Sequence, residues 1–109
     1  MPRSSYAIGF VTASSMMEAE KIASGIVESG LAACCNIVPH IHSIYTWKGK
    51  VEKNAESLII IKTRKSLRGK LVEKVKSLHS YEVPEVIFID IENGSPDYLK
   101  WIGESTVKK

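Results

Sequence analysis

Cysteine is scarce in this sequence: the only two, Cys34 and Cys35, are adjacent. A secreted disulfide framework needs several separated pairs and is therefore excluded. No apolar run approaches the ~20 residues of a membrane span. The opening stretch MPRSSYAIGF has a single arginine, no sustained apolar segment and no small-residue cleavage site. A signal peptide is thus not expected, and the Asn93-Gly94-Ser95 sequon has no meaning without secretion. No P-loop, nucleophile elbow or spaced metal-ligand set occurs, and Ser14, Ser15 and Ser66 read as helix caps rather than nucleophiles. These absences point to a non-enzymatic protein of a reducing cytoplasm.

What is present suits one ordinary domain. The chain has 109 residues, 44% of them hydrophobic, and a domain of this size buries about two-thirds of its unfolded surface. No metal or disulfide is required to hold such a core. A single domain over residues 1–109 is expected, with flexible ends at 1–5 and 105–109. The net charge of +3 is mildly basic, and Lys62, Arg64, Lys65, Arg68, Lys70, Lys74 and Lys76 cluster along the chain. The solvated face of one helix is the plainer reading of them, ahead of an anion or nucleic-acid patch.

Periodicity supplies the elements. SYAIGFVTA, residues 5–13, reads as a buried strand. Ser15-Met16-Met17-Glu18 has capping-box spacing, and Ala19, Ile22, Ala23, Ile26 and Val27 follow on one helical face. The spacing predicts a helix over 16–29, closed by Gly30 in a left-handed cap. Leu31–Val38 reads as a strand interrupted at Pro39, resuming from Ile41 and turning at WKGKVE into a long strand over 51–63. Ser66 caps a second helix with Leu67, Leu71, Val75 and Leu78 on its buried stripe. VIFIDI, residues 86–91, is a further strand, and Ser95-Pro96 opens a short last helix. This order predicts an α+β, ferredoxin-like split β-α-β sandwich. Its antiparallel sheet has two helices on one face, a long hairpin and an extra C-terminal helix. The uncovered sheet face invites self-association.

Two clusters could carry chemistry. LAACCNIVPHIHSIY gathers Cys34, Cys35, His40 and His42. Adjacent strand residues point to opposite faces, so the two cysteines cannot chelate one ion, and a small buried hydrophobe is the plain reading of at least one. His40 and His42 are spaced to share a face and could hold one metal ion. Two partly exposed histidines beside a kink are the plainer reading. HSYEVPEV sets His79, Tyr81, Glu82 and Glu85 around Pro84 at a helix C-terminus. A histidine with carboxylates can hold a metal or a proton, or simply cap the helix.

GLAACCNIVPHIHSIYTWKGK, LIIIKT, HSYEVPEV and DYLKWI, four blocks in order over nearly the whole chain, resemble the CutA family of divalent-cation tolerance proteins. The resemblance implies a ferredoxin-like homotrimer with the long hairpin extending sheets between subunits. It further implies a part in copper and divalent-metal tolerance, with weak binding of Cu(II), and Zn(II) second to it, and no organic cofactor. His79 matches the family's metal histidine, and Tyr81, Glu82 and Glu85 belong to the same motif. Trp47, Lys48 and Lys62 match positions near intersubunit clefts. Val11 stands where some bacterial members have a cysteine, so a thiolate that selects soft copper is absent. His-Pro-Tyr of the family is here His79-Ser80-Tyr81.

An alternative is a sensor of small anions, because related trimers resembling the nitrogen-regulatory signalling proteins hold ligands between subunits. Lys48, Lys50, Lys62, Arg64 and Trp47 would line that cleft. A nucleic-acid role is not expected, since SLIIIKT has no aromatic on which to stack bases.

Overall fold

A computed structural model describes residues 4–107. Four strands, β1 (Tyr6–Ala13), β2 (Cys34–Trp47), β3 (Lys50–Arg64) and β4 (Val86–Asp90), form one antiparallel sheet in the order β2-β3-β1-β4. Helix α1 (Met16–Glu28) links β1 to β2, and α2 (Arg68–Leu78) links β3 to β4. This is the split β-α-β arrangement expected, with α3 (Pro96–Glu104) added after β4. Among the described residues no helix is long and apolar enough to cross a membrane.

Alternation along β1 and β3 sorts the two sheet faces. Val11, Ala13, Ile59 and Ile61 point to one face, where Ile22, Ile26, Leu71 and Val75 of α1 and α2 close the core. Fully burying an aliphatic side chain of this size contributes about 1.5–3 kcal/mol. The opposite parity carries Ile8, Phe10 and Ile60, flanked by exposed Ile87 and Ile89 on β4. α3 packs at the end of the sheet where Tyr6 pairs with Arg64. There Arg64 Nε donates to Thr106 Oγ1 at 2.9 Å and Nη2 donates to the Gly103 carbonyl.

α1 begins as its sequence predicts: Ser15 Oγ accepts from the Glu18 N–H at 3.1 Å. Gly30, at φ +77°, takes the left-handed conformation that reverses the chain. That reversal removes Leu31–Ala33 from the expected strand. The Leu31 and Ala32 N–H groups bond the Ile26 carbonyl, and β2 starts only at Cys34. Pro39 does not interrupt β2. A bulge between Val38 and Ile41 absorbs it, with His40 at φ +61°, and the ladder continues to Trp47. The hairpin closes on Lys48 and Gly49, both at positive φ, the two-residue turn that matches strand twist.

Two expected caps are not made by side chains. Ser66 lies inside a 3-10 turn (Lys65–Leu67), so α2 starts at Arg68 with no side-chain cap. Ser95 contributes its carbonyl, which accepts from the Leu99 N–H, rather than its hydroxyl. Of the ends expected to be flexible, Ser4 bonds the Ile91 carbonyl and Ser5 accepts from the Lys65 N–H. At the other end Thr106 is buried and the Val107 N–H bonds Gly30. Residues 1–3 and 108–109 lie outside the described residues.

Candidate functional site

α2 ends where His79 turns extended, at φ −90° and ψ 144°. That turn drives its ring beneath the end of β1, with the side chain fully buried. Nε2 lies 2.7 Å from the Thr12 carbonyl, and Nδ1 accepts the Tyr81 N–H at 3.1 Å. A carbonyl can only accept and an N–H can only donate, so the geometry fits a proton on Nε2 and a lone pair on Nδ1. Glu18 Oε2 sits 3.7 Å from Nδ1. The same carboxylate accepts from the Ser14 N–H and hydroxyl and from the Ser80 N–H, at 2.8–2.9 Å. Burial pushes the Glu18 pKa up, but the hydrogen bonds from Ser80 and Ser14 outweigh it and hold the group at about 2.

Both ring nitrogens of His79 are thus committed inside the protein. The histidine expected as a metal ligand ties residues 79–81 to β1 through these bonds and stands beside Glu18 of α1. The exposed side of this loop faces a cleft of about 770 Å³. His42, Tyr45 and Trp47 of β2 line one wall, and Glu56 of β3 lines the floor. Tyr81, Glu82 and Glu85 of the 79–85 loop line the other wall. The Tyr81 hydroxyl donates to Glu56 Oε2 at 2.6 Å, and Glu56 is only 7% exposed. Burial raises the Tyr81 pKa, and the Glu56 carboxylate beside it raises it further. Burial and the charge of Glu56 also push the Glu85 carboxyl up. Three carboxylates line the cleft, with no lysine or arginine among its described lining residues.

The cleft therefore unites Glu82, Glu85, Tyr81, Trp47 and His42, and leaves out the other sequence candidates. His40 and His42 do not form the expected pair. The extra residue at the bulge breaks simple alternation, and His40 is exposed outside the cleft. Lys48 lies with its ammonium 5.6 Å from the centre of the Trp47 ring. Lys62 bonds Asn36 Oδ1 across β2 and β3, and Arg64 is taken by α3. The cations invoked for an anion site, Lys50 with them, are absent from the cleft lining. Cys34 and Cys35 are free thiols, and Cys35 packs on the core while Cys34 lies 3.8 Å from Asn36 Oδ1. No group of three or more His, Cys, Asp or Glu side chains among the described residues converges closely enough to hold a metal ion. Glu56 was not singled out by sequence reasoning, because nothing local in VEKNAES separates it from its solvated neighbours.

Residues 7–105 match the family described as CutA1 divalent ion tolerance protein. The chain is 51% identical over 100 residues to the CutA homolog of Xenopus laevis, covering 92% of this chain and 66% of that one. It is 45% identical over 96 residues to the divalent-cation tolerance protein CutA of Thermus thermophilus, covering 88% and 93%. The crystal structure of CutA1 from Oryza sativa superposes with a TM-score of 0.94 at 44% identity, covering 98% of each chain. The chain spans between about half and two-thirds of the length of the animal and plant relatives it matches.

Proposed function

The chain belongs to the CutA1 divalent ion tolerance family, and from that premise we propose that it is a non-enzymatic homotrimer of the cytoplasm that holds a divalent cation loosely in the acidic cleft. The observation that carries this reading is the charge of the cleft: Glu56, Glu82 and Glu85 with His42, unopposed by any lining lysine or arginine. An imidazole with carboxylate oxygens suits Cu(II) ahead of Zn(II), following the general order of divalent affinities. The donors are spread along an open cleft and no thiolate is present at Val11, so binding is weak and the ion keeps part of its water. Glu82 and Glu85 stand on one wall and His42 on the other, too widely spread to enclose an ion, so they attract a hydrated cation by charge while His79 fixes the loop from behind.

Trimer formation is supported by the apolar sheet face that the helices leave open. Ile87 and Ile89 are each more than half exposed, beside Phe10 and Ile60 of the same face. An uncovered apolar surface on this scale marks an interaction site, and the long β2–β3 hairpin can carry pairing from one copy to the next. The two free cysteines fit a reducing compartment. Light scattering tests the assembly and calorimetric titration with Cu(II) tests the cleft. Three chain masses and saturable Cu(II) binding that Glu82→Gln/Glu85→Gln weakens are the expected results.

A further inference from the structure

The buried carboxylate of Glu56 has no ion-pair partner among the described residues. It is 7% exposed and lines the cleft, and its hydrogen-bond partner is the neutral Tyr81 hydroxyl. None of the ion pairs among the described residues includes it. Buried charges in folded proteins are as a rule paired, because an unneutralised one is costly. A cation that enters the cleft meets this carboxylate on the floor, with one of its oxygens held by Tyr81.

We propose that the inner cleft binds an organic ammonium ligand of the linear polyamine class, with one ammonium at Glu56 and the next near Glu82 and Glu85. The cleft's volume of about 770 Å³ lies in the range of small-molecule sites. Its walls pair carboxylates with the rings of Tyr45, Trp47 and Tyr81, the combination that attracts alkylammonium ions through charge and the ring quadrupole. The Trp47 ring already has an ammonium, that of Lys48, 5.6 Å from its centre. The carboxylates are distributed rather than converged on one point, which favours a chain of separated positive charges. This proposal rests on the acidic cleft of the divalent-cation reading and shares Glu82 and Glu85 with it, but adds the aromatic rings and makes Glu56 the inner anchor in place of His42.

The test is calorimetric titration of the full chain with spermidine in excess EDTA, so that no metal contributes. Saturable binding is expected, weakened about tenfold, or 1.4 kcal/mol, by Glu56→Gln and by Trp47→Leu. Trp47 is partly exposed at the hairpin end, so its variant decides the matter should Glu56→Gln fail to fold. Absence of saturable binding overturns the proposal, as does unchanged affinity in the folded variants. In a separate titration without EDTA, displacement by Mg(II) as readily as by a second polyamine at equal ionic strength also overturns it, because it would show diffuse charge attraction only. Loss of Cu(II) binding has no bearing on this result, since chelation separates the two.

Discussion

The Tyr81 hydroxyl reaches across the cleft to Glu56, 25 residues earlier in the chain, and donates a 2.6 Å hydrogen bond to its buried carboxylate. This bond ties the 79–85 loop to the central strand β3, so the shape of the cleft depends on it. Tyr81→Phe leaves one buried carboxylate oxygen without its donor. A loss of about 1–3 kcal/mol is expected, read from the midpoint of chemical denaturation with the slope unchanged.

Glu18 makes acid stability measurable at one site. Its pKa falls from an ordinary 4.5 to about 2 in the folded protein, where hydrogen bonds from Ser80 and Ser14 overcome the effect of burial. A depressed carboxylate stabilises the fold fully above its unfolded pKa and loses that contribution as pH falls toward the folded value. The stability difference between wild type and Glu18→Gln should therefore be constant above about pH 5 and shrink between 4.5 and 2. Thermal unfolding across that range checks it, and a difference independent of pH would contradict the assignment.

The two cysteines should react differently although they are adjacent. Burial, with the neighbouring Cys34 adding to it, pushes the Cys35 thiol up to about 12 despite the opposing pull of Lys62. The thiolate is the nucleophile, so Cys35 stays unmodified by iodoacetamide at pH 8 in the native protein. Peptide mass mapping should find alkylation at Cys34 first, and Cys35 should react only on unfolding.

Ile87 and Ile89 sit on the exposed side of β4, away from the α1–α2 core. If the proposed trimer is built on this face, Ile87→Lys/Ile89→Lys shifts the mass measured by light scattering from three chains toward one while the circular dichroism spectrum persists. An unchanged trimer would place the assembly surface elsewhere.

Local pattern made much of the fold legible. The Ser15 cap, the stripe from Ala19 to Ile26 and the left-handed Gly30 each follow from spacing and backbone sterics, and each is found in place. The hairpin turn at Lys48-Gly49 and Pro96 at the start of α3 belong to the same class. Misread features turn on contacts that no short window contains. Pro39 looks like a strand break until the β3 ladder on its other side shows a bulge. Ser66 has the chemistry of a cap but sits one residue before the N-cap position Leu67, inside the 3-10 segment. The motif HSYEVPEV supplies one wall of the cleft, yet the contacts of His79 depend on Thr12, 67 residues away. Glu56 became visible only through Tyr81, because burial of a carboxylate is a tertiary fact.

The central claim is that cations enter the cleft between the 42–47 arm and the 80–85 loop while His79 remains an internal strut. Cu(II) titration by calorimetry of His42→Ala, Glu82→Gln/Glu85→Gln and His79→Gln tests it most directly. His79→Gln keeps a donor for the Thr12 carbonyl but offers no imidazole. The account predicts that the first two variants lose about tenfold or more in Cu(II) affinity and that His79→Gln binds like the wild type. Loss of binding in folded His79→Gln, with His42→Ala unaffected, would contradict it.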